Sequence, residues 1–388
     1  MKNVFLIFII FVFSTKSHGI VQNNFLTPIG GIEGITGNTG VARRGSVGNV
    51  IFNPGGLAFI QNHKVSVSGS AFSQNWIDIT IGNNSERINY FQTTPSQITT
   101  VYHNAKLNYA FSILVPKVSK FRTSFDLENQ KSEVNYEDQE TYIGPTVSYK
   151  LSEKFSFGFS IFGIKRDFSK EEMIYATTDN ITAQRFFSLN ITGFSLVSNF
   201  GLSYAAQKNL LFGINLQTPK INLSSSFESK TFLTSTNQSS GTNTLKGNAK
   251  FSGPGEIALG FEYDPAKKIK LLMDLGYQFS KYSLLVAKDA SGGSAFYDYK
   301  NSMRVHLGFE YYKSKKEAYT FGANYNQKNE SSSLDFLSLS LGYRLREKVA
   351  DSMLGLFLNK SIAEKVNNVE TNYLMAGIYL SSSINFID

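Results

Sequence analysis

Leu337-Ser-Leu-Ser-Leu-Gly-Tyr-Arg-Leu-Arg346 alternates without a break. Successive side chains of an extended chain point to opposite faces, so Leu337, Leu339, Leu341, Tyr343 and Leu345 share one face. Ser338, Ser340, Gly342, Arg344 and Arg346 occupy the other. A face of glycine and charge cannot be the core of a soluble sandwich, but it can line a hydrated lumen. The pattern recurs along the chain. Ile143, Val147, Tyr149 and Leu151 oppose Gly144, Thr146, Ser148 and Lys150; Phe155, Phe157, Phe159 and Ile161 oppose Ser156, Gly158 and Ser160. Phe212, Ile214 and Leu216 repeat it, as do Met273, Leu275, Tyr277 and Phe279.

Short turns are expected near Asn104, Ser152-Glu153, Gln207-Lys208, Pro265-Ala266, Ser314-Lys315 and Glu347-Lys348. Long polar connections are expected near 83–96, 129–138, 169–185, 227–245, 286–296, 328–334 and 362–370. Short turns at one end and long loops at the other, separating about fourteen strands, describe an all-β, antiparallel transmembrane barrel. Composition agrees: aromatic residues make up 14% of the chain, with 33 Phe and 20 Tyr against one Trp. That profile suits membrane-facing strands with aromatic girdles. No Pro/Ser linker marks a second folding unit.

The beginning of the chain reads differently. Lys2, the apolar run Val4–Phe13 and the small residues of Ser17-His18-Gly19 describe a secretory signal peptide over residues 1–19, too short to span a bilayer. Residues 20–62 then form an irregular unit before the barrel of 63–388. Its centre, Gly30–Phe59, holds nine glycines in thirty residues and closes on Asn53-Pro54-Gly55-Gly56-Leu57. So much glycine destabilises any regular element, so the segment folds only if something larger encloses it.

Gly37, Gly40, Ala42, Gly45 and Asn53-Pro54 before Gly56-Leu57-Ala58 resemble the N-terminal plug, or hatch, of the FadL family of outer-membrane barrels. Gly55 stands where that family usually has alanine. The resemblance continues through Ser252–Tyr263, Met273–Tyr277, Phe279–Tyr282, Tyr299–Tyr311 and Tyr319–Tyr325, and so covers nearly all of the mature chain. One departure is the C-terminus, where Phe386 is followed by Ile387-Asp388 instead of ending on an aromatic residue. The resemblance implies a bacterial outer-membrane monomer with the hatch inside the lumen. It implies passive uptake of hydrophobic compounds, long-chain fatty acids first among them, with membrane lipid as surroundings and no cofactor. Two other readings stay open: a polar-solute porin, or a secretion or partner-binding adaptor of the same fold.

Several residues are candidates for that function. Asn53, Pro54, Gly55 and Gly56 fix a turn of the hatch, the Asn side chain satisfying nearby backbone groups. Pro116 removes a ladder hydrogen bond within the expected third strand, Leu107–Phe125. In the resembled family the third strand kinks to open the wall sideways, so Pro116 either marks a lateral opening or simply ends a strand. By parity the lumen receives Arg166, Glu262, Asp274, Arg304, His306, Glu310, Arg344 and Arg346. Such charges pair or meet water. Asp274 and Arg304 are expected to form one pair. Arg166 and Arg304 are the candidates to receive a carboxylate head group, with Phe162 and Ile164 beside Arg166 as an apolar wall. Most of these charges would otherwise simply hold hatch and wall together.

Enzyme chemistry finds little support in the sequence. There is no cysteine, and His63, His103 and His306 lack metal-ligand spacing. No GxSxG, HExxH or phosphate loop occurs. Loss of Lys2 and Lys16 with the signal peptide leaves 36 basic against 30 acidic residues, scattered along the chain. A nucleic-acid partner would need a basic stripe, and the sequence has none.

Overall fold

The structure, a computed structural model, describes residues 27–81, 84–127, 130–178, 181–236, 238–249, 252–283, 297–327, 334–362, 364–366 and 369–386. The expected signal peptide of residues 1–19, residues 20–26 and Ile387-Asp388 lie outside the described residues. Six long strands come first: β1 (His63–Ile81), β2 (Asn84–Asn104), β3 (Leu107–Leu127), β4 (Gln130–Lys150), β5 (Phe155–Thr178) and β6 (Ile181–Gln207). The next two crossings are each interrupted. One is β7 (Leu210–Gln217) continued by β8 (Ile221–Ser235); the other is β9 (Gln238–Asn248) continued by β10 (Glu256–Ala266). Pro219 and Pro254, which cannot donate to a ladder, sit at the two breaks. Then follow β11 (Ile269–Gln278), β12 (Lys281–Ser283), β13 (Tyr297–Tyr299), β14 (Ser302–Tyr312), β15 (Glu317–Asn326), β16 (Asp335–Arg346), β17 (Ala350–Ile362), β18 (Glu364–Val366) and β19 (Val369–Phe386). Neighbours pair antiparallel, and β19 returns to β1 from His63↔Phe386 to Ile81↔Val369, closing a barrel of 14 strands. Pairing of the last strand with the first closes the ring, as a sheet that spans a bilayer requires.

The two faces are inverted relative to a soluble protein. Leu337, Leu339, Leu341 and Leu345 are exposed, while Ser338, Ser340 and Arg344 on the same strand are buried. Phe111, Phe157, Phe200, Phe212, Phe309 and Phe321 extend this apolar exterior around the ring. All six short turns fall where the sequence placed them. Four of the long polar loops do not, and the expected loops at 286–296 and 328–333 lie outside the described residues. Residues 84–96, 130–138, 169–178 and 227–235 belong to strands that run on well beyond the apolar belt. Polar residues paired across a hairpin need no membrane, so hydrophilic composition alone did not signal a loop.

Residues 27–60 lie within the ring, nearly all buried. They have little regular structure: a 3-10 turn at Ile32–Ile35, one helical turn at Asn49–Phe52 and a 3-10 helix at Pro54–Phe59. Buried backbone groups must still be paired. Inward-facing side chains of the wall do much of this. Thr320 Oγ1 donates to Ile35 O (2.9 Å), Gln97 Nε2 to Val47 O (3.0 Å), Ser160 Oγ to Val50 O (2.8 Å) and Ser156 Oγ to Gly55 O (2.7 Å). Asn108 Nδ2 reaches both Leu57 O (2.8 Å) and Ile60 O (2.9 Å), and Gly37 N donates to Ser340 Oγ (3.1 Å). The polar lumen face expected to be wet is therefore, at this height, bonded to the N-terminal segment.

Glycine on the wall allows that approach. A methyl group at Gly213 would overlap Val41 O, at Gly260 Ala42 N, at Gly322 Gly37 N, and at Gly158 the carbonyl of Pro54. Gly213 pairs with Gly260 across the ladder, and Gly322 with Gly308, so the contact line crosses neighbouring strands. Gly241, in contrast, faces open space. Backbone atoms cannot rotate away, so Gly213→Ala and Gly322→Ala should each destabilise by about 1–3 kcal/mol, the range for overpacked sites. The midpoint of the heat-induced mobility shift in detergent gels should fall for both and stay unchanged for Gly241→Ala. Equal midpoints for all three would remove the close-contact argument.

Candidate functional site

Among the described residues, two apolar clusters occupy the lumen. The lower one joins the N-terminal segment to the wall: Ile29, Val47, Val50, Ile51, Phe52 and Leu57 pack with Val101, Leu114, Tyr142, Phe162, Ile164 and Val197. Phe162 and Ile164, 0% and 2% exposed, are therefore covered by the segment. The upper cluster is built from inward residues of the long strand extensions, among them Ile77, Ile88, Phe121, Tyr136, Phe168 and Phe227. Phe336, Phe357, Tyr373 and Tyr379 extend it, and Ile32 and Ile35 of the N-terminal segment form its floor. Above the segment the lumen is thus greasy. Sequence reasoning missed these residues because the stretches carrying several of them read as loops.

Arg166 stands between the two clusters. On β5, Phe162, Ile164 and Arg166 alternate inward; on β4, Asp138, Glu140 and Tyr142 do the same, with Glu140 directly across from Arg166. Arg166 binds Asp138 with both prongs, Nε to Oδ1 at 2.6 Å and Nη2 to Oδ2 at 2.7 Å. Lys117 Nζ lies 3.0 Å from Asp138 Oδ2, and Lys220 Nζ 2.6 Å from Glu140 Oε2. Arg166 Nη1 is 3.7 Å from Glu140 Oε1, and Tyr142 OH donates to Glu140 at 3.2 Å. Each of these five ionised groups is at most 5% exposed. Among the described residues, three cations and two carboxylates meet here. The sequence offered Arg166 alone; its partners were hidden because Asp138 fell in an expected loop and Lys117 changes face.

That change of face occurs at Pro116. Phe111 and Ile113 point outward, but Pro116 and Lys117 are both buried, and beyond them Lys120 is exposed. The β3–β4 register shifts between Leu114 and Lys117. Neighbouring strands are irregular at similar height: the β1–β2 ladder shifts at Ser68/Gly69, where Gly69 faces Pro95, and again at Ser70/Ser73. The ladder between β2 and β3 runs from Asn104↔Leu107 only to Gln97↔Leu114. Beyond it, β2 continues paired to β1 up to Asn84 and β3 paired to β4 up to Leu127. Among the described residues the two strands do not pair with each other over that length. A seam opens in the wall, with Lys117 facing inward beside it.

The expected Asp274–Arg304 pair is not formed. Asp274 Oδ2 instead accepts from Gly40 N (2.7 Å) and Val41 N (3.0 Å), tying down the N-terminal segment. Arg304 pairs with Glu256, which lies on the eighth crossing at β10. A carboxylate held by two backbone donors has less need of a cation, and Glu256 is the acid within reach of the guanidinium. His306 Nδ1 lies 3.0 Å from Asn38 O and its Nε2 3.2 Å from Asn326 Oδ1, again a bond between wall and segment. Arg43 of the segment pairs with Glu310 at 2.7 Å and Glu33 at 3.8 Å. Burial alone would lower the Arg43 pKa, but Glu310, Glu33 and Glu262 hold it above its ordinary value. Asn53 Oδ1 accepts from Gly55 N (3.0 Å) and its Nδ2 donates to Leu202 O (2.8 Å), so Asn53 starts the 3-10 helix and anchors it to β6. Pro54 occupies the first position of that helix; Gly55 lies against Gly201 of the wall, and Gly56 against Arg43 and Asn49 of the segment itself.

With this geometry in place, the comparisons with solved structures are consistent. The Pseudomonas putida toluene transporter TodX superimposes with a TM-score of 0.69 at 14% identity, covering 95% of this chain and 100% of that one. The CymD monoaromatic hydrocarbon channel gives 0.65 at 13%, covering 94% and 100%. A Pseudomonas aeruginosa FadL homologue gives 0.65 at 12%, covering 95% and 99%. The fold is that of the FadL-type outer-membrane channels, as the sequence resemblance implied. No protein-family model and no curated protein sequence matches the chain.

The buried ion cluster generates a stability test. Removing one member of a buried pair leaves an unpaired charge and costs about 3–5 kcal/mol, whereas removing both partners is often nearly neutral. Asp138→Leu should therefore lower the heat-shift midpoint, and adding Lys117→Met should restore part of the loss. A double variant less stable than the single one would mean that Lys117 does not depend on Asp138.

Proposed function

We propose that the protein is a passive outer-membrane channel for hydrophobic compounds, acting as a monomer, with residues 20–62 as its hatch. The observation that carries this reading is the end of the β2–β3 ladder at Gln97↔Leu114, beside Pro116 and next to a buried, partly charged lumen wall. A compound entering from the long-strand end meets the upper aromatic cluster, descends toward Arg166 and the hatch, and leaves sideways at the lower end of the seam, beside Pro116, where the apolar belt begins. Apolar surface along the route offsets loss of the bilayer at each stage. The neighbours named as toluene transporters and hydrocarbon channels support the compound class.

Within that class we assign long-chain fatty acids. The support is the buried group of Lys117, Arg166 and Lys220 around Asp138 and Glu140, whose cations are placed to give a carboxylate head group charge-assisted hydrogen bonds in a site poor in water. Arg304 is a weaker candidate for that role, since Glu256 already pairs with it. A polar-solute porin needs a continuous wet path, and residues 27–60 fill the ring with bonds on many sides. The adaptor reading has no observation of its own in its favour.

The chain has no cysteine, so the seam can be closed with an introduced pair. Thr93→Cys and Val118→Cys, on its two edges above the last ladder pair, would be joined by a cleavable thiol cross-linker. Uptake of labelled oleate and of toluene by cells carrying the variant should fall several-fold and return on reduction; unchanged uptake would exclude a sideways exit. A second measurement addresses the head group. Binding of a fluorescent long-chain fatty acid to the purified barrel should weaken about ten-fold with Lys117→Met, roughly the worth of one charge-assisted bond. Weakening by Arg304→Met instead would move the carboxylate to the other side of the lumen.

A further inference from the structure

The short-turn end of the barrel holds a cavity of about 1040 Å³ between the β6–β7, β10–β11 and β14–β15 turns. Its lining has seven cations and a single carboxylate, Asp264. Three of the cations are already engaged: Lys270 with Glu262 and Asp264, Lys313 with Glu317 at 3.4 Å, and Arg346 with Asp351 at 3.7 Å. Lys208, Lys267, Lys268 and Lys315 have no carboxylate partner among the described residues. Four uncompensated lysines on three separate turns face one concave space.

We propose that this cavity is a docking site for an acidic, Asp/Glu-rich segment of a protein in the compartment that the short turns face. Three arguments favour that occupant. The charges are spread over three turns, which suits a polyanion and not a single carboxylate. The cavity lies among the turns at the barrel end and has the half-buried Lys270 and Tyr312 in its lining, whereas lipid head groups meet the outer, apolar side of the strands. Its volume is at the upper end of the range for small-molecule sites, which leaves room for a short stretch of chain. Clustered lysines in a concavity also raise the local concentration of an anionic partner, an effect that salt removes. The inference rests on the channel reading only for naming the compartment; the binding itself is independent of transport.

The test uses the full-length protein in detergent and a fluorescein-labelled decapeptide of alternating Asp and Glu, followed by anisotropy at low salt. Lys267→Gln/Lys268→Gln/Lys315→Gln should weaken binding about ten-fold, since each exposed pair contributes modestly. Lys106→Gln/Lys154→Gln/Lys348→Gln removes the same charge from other turns and should change affinity less than two-fold. Equal weakening by both triple variants would reduce the effect to general attraction by a basic rim and overturn the site. So would the absence of binding, or displacement of the peptide by phosphatidylglycerol vesicles, which would give the cavity to lipid. None of these outcomes touches the seam experiment.

Discussion

The structure depends on one exchange: a chain segment with almost no secondary structure has its backbone hydrogen bonds supplied by the side chains of the wall around it. An isolated stretch as rich in glycine as Gly30–Phe59 has neither a ladder nor a long helix to satisfy its amides. Inside the ring, Thr320, Ser340, Gln97, Asn108, Ser156 and Ser160 serve as partners, and Asp274 secures two successive amides with one oxygen. Short polar side chains suit the task because they leave the segment close to the strands, and glycine on both sides brings it closer still. The same positions explain why the inward face could carry so little apolar residue at this height. Its polarity is matched by carbonyls and amides more than by water.

Above that level the inward face changes character. Aromatic and aliphatic residues take over from serine and asparagine, and the strands carrying them continue past the apolar belt. The buried ions lie where the two regimes meet. Taking five ionised groups out of water is costly, and their mutual attraction offsets that cost only when each lone pair and proton has a partner. The bidentate contact of Arg166 with Asp138, the reach of Lys117 and Lys220, and the Tyr142 hydroxyl provide such partners from three adjacent strands and the break between β7 and β8. A cluster of this kind is well suited to discriminate by charge, because any anion that approaches it meets groups already held in place.

Much of the architecture was legible in the sequence. Alternation at Leu337–Arg346, Phe155–Ile161 and Met273–Phe279 has a two-residue period that only a strand produces, and each apolar face proved to be the exterior one. The six short turns were readable because chain reversal needs small or polar residues between two such runs. Long extensions were not, since sequence such as Val134-Asn-Tyr-Glu-Asp138 is polar on one face for reasons unrelated to looping. Parity reasoning placed Phe162, Ile164 and Arg166 on the inward side, but it assumes an unbroken strand. At Pro116 that assumption fails, and Lys117 moves to the face its number would deny it. Pairing across the lumen lies further out of reach: Asp274 and Arg304 have opposite charge and adjacent strands, yet two backbone amides and Glu256 claim them first.

The bonds between wall and segment also fix an order of assembly. Gly37 needs Ser340, Ile35 needs Thr320, and Gly30 O accepts from Tyr379, hundreds of residues later in the chain. Contacts of such separation form only after the intervening chain has been brought together. The ring must therefore be close to complete before the segment that precedes it has anything to hold. The segment that precedes the first strand is thus the last to acquire its structure, held only once strands hundreds of residues later stand around it.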